Sequence, residues 1–192
     1  DVKLSPNFQE FEQAVSKIEF HVGRAKDITH RLLGFARRMD PVQEDVNINH
    51  LLAQTITFLE TEARFREIEL RSNFQDDIPL LASDPSQLQQ VFLNIIDNAL
   101  DAIEKSGRVT IQTGYQADTN EVQVVITDTG PGIPKDKLDK IFDPFFTTKK
   151  VGEGTGLGLA ISYSIIEKLG GQLRVASEPG KGAAFTILLP AK

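Results

Sequence analysis

The segment that most constrains the fold is an apolar helical stripe that is interrupted by two side-chain amides. Residues 94–101 read Asn-Ile-Ile-Asp-Asn-Ala-Leu-Asp, and Asp84-Pro85 upstream is a typical helix start. Asn94 and Asn98 are four residues apart, so their amides share one helix face. Because buried amides need hydrogen-bonding partners, this face is either a core hydrogen-bond network or the wall of a polar site. An amide oxygen can complete the oxygen shell of a magnesium ion that also binds phosphates and water.

Two glycine-rich segments follow the amide pair. Asp128 ends an apolar strand before Thr-Gly-Pro-Gly at 129–132, and its carboxylate can accept a hydrogen bond from an exocyclic amine such as that of adenine. Gly-Thr-Gly-Leu-Gly at 154–158 precedes a helix, whose first backbone amides favour anions. This spacing is neither the dinucleotide GxGxxG nor a P-loop. Alone, the Asp128 segment is more typical of a turn that ends a strand, and the second segment is also typical of a flexible connection. In this order, however, the amide pair and the two glycine-rich segments indicate a pocket for ATP and a divalent cation.

A third segment lies between the two glycine-rich ones. Residues 142–149 read Phe-Asp-Pro-Phe-Phe-Thr-Thr-Lys, which places three aromatic rings beside two hydroxyls and a base. The aromatic rings favour an apolar anchor for a mobile loop. Lys149 and Lys150 are suited to meet phosphate charge, and both interpretations are compatible.

Apolar periodicity predicts a two-layer α/β (α+β) sandwich for most of the chain. Helical spacing covers residues 48–67, the stretch from Asp84-Pro85 to Gly107, 134–141 and 158–169. Strand patterns cover residues 68–74, 79–82, 109–115, 122–128, 173–176 and 185–189. The short loop after residue 115 predicts an antiparallel hairpin.

The N-terminal part has a different pattern. Apolar residues alternate at spacings of three and four along 8–36, which predicts a long coiled-coil-like helix. The helix packs either on its own domain or, as we favour, in a bundle with a second chain. Asp40-Pro41 ends it, and residues 41–46 read as a short acidic linker. The predicted organisation is a partial dimerisation helix at 1–40, a linker at 41–46 and a catalytic domain at 47–192.

Composition excludes several classes of protein. The net charge of −6 argues against non-specific binding of nucleic acid, and the lack of cysteine excludes disulfides and thiolate metal sites. No apolar run approaches the ~18 residues that a membrane span needs, and no signal peptide is visible. We therefore expect a cytoplasmic chain that is not itself inserted in a membrane, although it can be the cytoplasmic part of a membrane-anchored sensor.

Taken together, four segments resemble the conserved boxes of the catalytic domain of sensor histidine kinases. They are residues 90–102, 128–132, 142–149 and 154–159, and residues 182–190 are similar to the last strand of that family. The resemblance covers about 145 residues, from the linker to residue 192. It implies the ATP-binding sandwich shared with gyrase, heat-shock protein 90 and mismatch-repair ATPases.

The resemblance also implies roles for individual residues. Asn98 would hold Mg²⁺, Asn94 would support phosphate or metal, and Asp128 would bind the adenine amino group. Lys149 would face the phosphates, and with magnesium it would stabilise charge during transfer. The remaining nucleotide-binding candidates are Asp101 near phosphate, Gly130 and Gly132 at the adenine wall, Thr147, Thr148, Gly154, Thr155, Gly156, Leu157 and Gly158 in the loops, and Thr186 near adenine.

Asn94 bears on the type of reaction that the resemblance implies. Related ATPases have a water-activating Glu at the matching position, and Asn has no useful basicity. We therefore expect slow hydrolysis and transfer of the γ-phosphoryl to a protein histidine, for relay to the Asp of a response-regulator receiver domain. The alternatives are an ATPase or a serine kinase of the same fold.

The three histidines do not match the family's acceptor, which is followed by an acidic residue and then Pro. His21 is followed by Val, His30 is followed by Arg, and His50 lies in a helix of the catalytic domain. Residues 8–38 resemble instead the second helix of the dimerisation domain. We expect the acceptor upstream in a longer protein, which would form a homodimer through its N-terminal helices.

Overall fold

A computed structural model describes Phe11 and residues 43–103, 106–149 and 154–192 of the protein. The chain divides into two compact units, residues 1–39 and 40–192, and the description below is of the second. The heptad helix predicted at 8–36 lies outside the described residues except for Phe11. The elements of the second unit are β1 (Glu44–Val46), α1 (Ile48–Phe65), β2 (Ile68–Asn73), β3 (Leu81–Ser83), α2 (Pro85–Ala102), β4 (Gly107–Gln116), β5 (Glu121–Asp128), α3 (Lys135–Leu138), α4 (Gly158–Lys168), β6 (Gln172–Ser177) and β7 (Ala183–Pro190).

Five strands form one mixed sheet in the order β2-β4-β5-β7-β6. The β2–β4 pair is parallel, and the β4–β5, β5–β7 and β6–β7 pairs are antiparallel. Along β5, buried residues alternate with half-buried ones, so Val122, Val124, Ile126 and Asp128 share the buried face. Asp128 is therefore a carboxylate at the end of an otherwise apolar row.

Three helices cover this face of the sheet and complete the second layer. Helices α1, α2 and α4 bury apolar stripes that contain Leu52, Phe92, Ile96 and Ile166, each without exposed surface. They join the strand residues in one core. This arrangement confirms the two-layer sandwich, and α2 lies between its helical neighbours, in contact with both.

Helix α2 carries the amide pair, and its start follows the sequence closely. Asp84 is the N-cap, and its Oδ1 accepts from the backbone N–H groups of Ser86 and Gln87 at 2.9 and 3.2 Å. Pro85 occupies the first turn, where its missing N–H costs nothing. The helix ends at Ala102 rather than at Gly107, because Gly107 opens β4 beside Ile68 of β2.

Two further predictions need correction. Residues 44–46 are not linker, because they form β1 and pair antiparallel with β3 in a separate two-stranded sheet. The helix expected at 134–141 is limited to α3, and turns follow it. Within the described ranges, none of the helices combines the length and the apolar character that a bilayer crossing requires.

Candidate nucleotide site

Asn94, Asn98 and Asp101 lie on one face of α2, at intervals of four and three residues. Asn94 is buried and donates from Nδ2 to the carbonyl oxygen of Gly158 at 3.1 Å and to Ser162 Oγ at 3.3 Å. Both amide protons are thus used within the protein, which leaves Oδ1 as the atom able to meet a cation. Asn98 is half-buried one turn further on, and its side chain has no hydrogen bond within the part of the chain that the structure describes.

Asp128 is 4% exposed at the end of β5. Its Oδ1 accepts a hydrogen bond of 2.7 Å from the backbone N–H of Gly130. Burial raises the pKa of the Asp128 carboxyl above its ordinary value, although backbone N–H groups of Gly130 and Ala183 oppose part of that rise. Each carboxylate oxygen has two lone pairs, so a carboxylate that accepts from Gly130 retains acceptor capacity for a ligand amine.

The turn at residues 129–132 packs between the C-terminal end of α2 and the loop before β7. A Cβ atom at Gly130 would lie 3.1 Å from the carbonyl oxygen of Ala102, and one at Gly132 would lie 2.2 Å from that of Glu178. Glycine therefore allows this turn to pack against the C-terminal end of the helix that carries the amide pair.

Lys149 meets α2 at Asp101, where its Nζ donates to Asp101 Oδ2. The second carboxylate oxygen accepts from Arg66 Nη1 at 2.7 Å. Burial alone would raise the pKa of Asp101, but the hydrogen bonds and charges of Lys149 and Arg66 outweigh burial and hold the pKa below its ordinary value. Thr147 and Thr148 are exposed, and Thr147 Oγ1 accepts from the backbone N–H of Lys149 at 3.2 Å.

The glycine loop, residues 154–158, packs on the same region. A Cβ at Gly154 would lie 2.8 Å from Thr147 Oγ1 and 3.1 Å from Lys149 Cδ, so this backbone packs directly on the preceding segment. Gly156 has φ +66°, and a Cβ there would lie 2.4 Å from the carbonyl carbon of Phe145. Thr155 accepts from the N–H of Leu157 at 3.4 Å, and Leu157 is buried. Gly158 then starts α4 against Asn94.

Thr186 does not lie with the other candidates. It pairs with Val125 of β5 and Arg174 of β6. Directly paired residues share a sheet face, and Val125 faces away from the row that ends in Asp128. Thr186 is therefore on the opposite face of the sheet, and we leave it out of the proposed site.

The donor set fits a magnesium ion held jointly by protein and nucleotide. Among the described residues, no group of three or more His, Cys, Asp or Glu side chains is placed to hold a metal ion. The described residues thus do not form a metal site built only from such side chains. The amide oxygen of Asn94 and the amide of Asn98, which has no hydrogen bond among the described residues, fit a cation that takes its other ligands from phosphate and water.

Sequence reasoning missed three residues that shape this region. Ser162 is fully buried and holds Asn94, and a polar residue within the apolar stripe of α4 was the available signal. Gly182 packs against Asp128, and it begins the motif of the last strand. Arg66 pairs with Asp101 across 35 positions of sequence, and no local pattern pointed to it.

The fold and the site together define a nucleotide-binding α/β sandwich of the ATPase type. The family model of histidine kinase-, DNA gyrase B-, and HSP90-like ATPases matches residues 83–192, more than half of the chain. The chain therefore belongs to this family. Its similarity to histidine kinases identifies it with the catalytic ATP-binding domain of that branch.

The individual proteins that the chain is similar to are also histidine kinases. The chain is 37% identical over 186 residues to the sensor histidine kinase ZraS of Escherichia coli, a match that covers 97% of this chain and 39% of ZraS. It resembles the structure of full-length ShkA in complex with AMPPNP, with a TM-score of 0.81, 28% identity, and coverage of 99% of this chain and 40% of that one. The catalytic domain of histidine kinase ThkA matches with a TM-score of 0.70 and 30% identity, and the match covers 80% of this chain and 97% of that one. The chain thus spans about two-fifths of the curated relative's length.

Proposed function

We propose that this chain is the ATP-binding part of a sensor histidine kinase. It would bind Mg²⁺ and ATP and transfer the γ-phosphoryl group to a histidine elsewhere in a longer protein, for relay to the Asp of a response-regulator receiver domain. The observation that carries the proposal is the single face of α2 on which Asn94, Asn98 and Asp101 lie. Asn94 on that face bonds Gly158 at the start of α4, and Asp101 on the same face pairs with the ammonium group of Lys149.

Each group on this face has a chemical task in the proposal. Asp128 would accept a hydrogen bond from the exocyclic amine of adenine with the acceptor capacity that its carboxylate retains beyond the bond from Gly130. Asn98 and Asn94 would hold a magnesium ion through their amide oxygens. The ion would supply charge neutralisation at the phosphates. Lys149 and the backbone of residues 154–158 would complete the phosphate side.

Transfer is favoured over hydrolysis because Asn94 cannot act as a base. Its Nδ2 is used in hydrogen bonds to Gly158 and Ser162, and a neutral amide has no useful basicity with which to take a proton from water. A serine kinase of the same fold remains the second candidate. The similarity to ZraS over 97% of the chain favours the histidine kinase.

We propose that the acceptor histidine lies upstream, in a longer protein. His50 is exposed on α1, whose N-cap Asn47 accepts from the His50 backbone N–H at 3.0 Å. His21 and His30 lie outside the described residues and lack the flanking residues of an acceptor. In the longer protein, the N-terminal helix would form the homodimer.

The test is phosphoryl transfer from γ-labelled ATP with magnesium, using this chain and the longer natural protein in parallel. We expect acid-labile label on the longer protein and none on this chain. Rapid release of phosphate without protein label would identify an ATPase, and acid-stable label would identify a serine kinase. Asn98→Ala should abolish magnesium-dependent binding of ATP, whereas Asn73→Ala, at an exposed position on β2, should leave it intact.

A further inference from the structure

The carboxylate of Asp101 bridges two cations that come from different parts of the chain. Its Oδ1 accepts from Arg66 Nη1 at 2.7 Å, and its Oδ2 accepts from Lys149 Nζ. Arg66 lies just after α1, and Lys149 ends the described part of the loop that precedes the glycine-rich segment. A single side chain of α2 thus links the end of α1 to the candidate phosphate-binding lysine.

The position of this bridge matters because it adjoins both parts of the phosphate side. Asp101 is three residues beyond Asn98 on the amide face of α2, and its side chain is 25% exposed. Lys149 packs on the backbone at Gly154, where an added Cβ would lie 3.1 Å from Lys149 Cδ. The ion pair therefore holds the lysine between the amide face and the glycine loop.

Charge balance gives Arg66 a specific task. An unpaired Asp101 would direct its negative charge at Lys149 and at an incoming triphosphate, which would weaken phosphate binding. Arg66 brings the three groups to a net charge of +1. Glu62, which accepts from Arg66 Nη2 at 2.5 Å, is 42% exposed, so water screens its charge more strongly.

We propose that Arg66 is a positioning residue for the phosphate site. It holds one oxygen of Asp101 and shares its charge, so that Lys149 stays anchored at the glycine loop while its ammonium still has donors for phosphate. An ammonium group has three N–H donors, and Asp101 uses one. The inference rests on the proposed function, because it assigns Arg66 to the triphosphate end of the same nucleotide site.

The test compares binding of magnesium-ATP and of adenosine to variants of the 192-residue chain by titration calorimetry. Arg66→Gln should weaken ATP binding about three- to tenfold and leave adenosine binding unchanged. Arg66→Lys keeps a cation and should recover most of the loss. In an Asp101→Asn background, Arg66→Gln should cause little further change, because the residue acts through that carboxylate.

Arg64→Gln is the matched control, since Arg64 is exposed in the last turn of α1, two residues before Arg66. ATP affinity that is unchanged in Arg66→Gln, or lost equally for adenosine, would overturn the inference and leave the proposed function standing. Additive losses in the double variant would also overturn it. A wild-type chain that binds adenosine and ATP equally, or neither, would instead overturn the proposed function together with the role of Arg66.

Discussion

The side-chain nitrogen of Asn94 donates a 3.1 Å hydrogen bond to the carbonyl oxygen of Gly158, which ties the middle of α2 to the first residue of α4. Ser162 completes a triangle, because its Oγ accepts from Asn94 at 3.3 Å and donates to Gly158 at 3.0 Å. The amide nitrogen of Asn94 is thereby fixed against α4 by two hydrogen bonds. The two helices on either side of the proposed phosphate region are thus connected through a candidate metal-binding residue.

This triangle predicts that Ser162→Ala will affect both stability and ligand binding. Loss of the two hydrogen bonds of Ser162 Oγ should lower the free energy of unfolding by about 1–3 kcal/mol, measured by urea denaturation. Magnesium-ATP affinity should fall several-fold because the amide of Asn94 is held less firmly. Ser164→Ala on the same helix is the control and should leave affinity unchanged. Full ATP affinity in Ser162→Ala would show that the triangle does not orient the amide.

The triangle also shows where prediction from sequence ends. The spacing of Asn94 and Asn98 predicts a shared face, because helical periodicity is local. The partners of Asn94 lie 64 and 68 residues away and depend on how α4 packs, which no local pattern encodes. Thr186 illustrates the same limit, since strand register decides its sheet face. Residues 44–46 illustrate it too: their acidic composition alone predicts a linker, and they form a strand only through pairing with β3.

Gly182 provides a second prediction through its contact with the backbone of Asp128. Gly182 has φ +76°, and a Cβ there would lie 2.0 Å from the Asp128 carbonyl oxygen. Gly182→Ala should therefore cost at least about 3 kcal/mol of stability, because backbone must move as well as adopt a strained conformation.

Gly180→Ala is the matched control for this contact. Gly180 has a similar φ of +81°, but a Cβ there would meet nothing within 4 Å. We expect a cost of only about 1–2 kcal/mol from backbone strain. Equal melting temperatures for the two variants would show that the approach to Asp128 is not what requires glycine at position 182.

Asp128→Asn should separate stability from binding. Burial raises the pKa of Asp128, so its ionised form is a cost to the folded state that appears as pH rises through the folded-state pKa. Asn keeps an acceptor for the Gly130 N–H, so the variant should be at least as stable as the wild type at pH 7. Below the ordinary aspartate pKa of about 3.9, this advantage should disappear.

The same variant should bind ATP at least about tenfold more weakly, because an amide replaces the charged acceptor proposed for the adenine amine. Thermal unfolding across pH and ATP titration at pH 7 measure the two effects. A variant that loses stability at pH 7 but keeps ATP affinity would contradict both the electrostatic cost and the adenine assignment.

The contribution of Asp84 to stability should depend on pH in the opposite direction from that of Asp128. Burial alone would raise the pKa of this carboxyl, but hydrogen bonds from Ser86 and Gln87 outweigh burial and lower the pKa. The N-cap therefore stabilises the fold above the ordinary aspartate pKa, and this contribution is lost as pH falls through the lower, folded-state value. Asp84→Ala should cost about 1–2 kcal/mol at pH 7, and the cost should shrink on acidification to about pH 2.5.

Asp84→Asn distinguishes charge from capping geometry at the start of the helix that carries Asn94 and Asn98. Asn retains an acceptor for the Ser86 N–H, so it should keep most of the stability at pH 7. Its stability relative to the alanine variant should then be independent of pH, since neither residue titrates. Urea denaturation of the three proteins at each pH measures this directly. A cost of Asp84→Ala that stays constant down to about pH 2.5 would mean that the carboxylate charge contributes nothing at this cap.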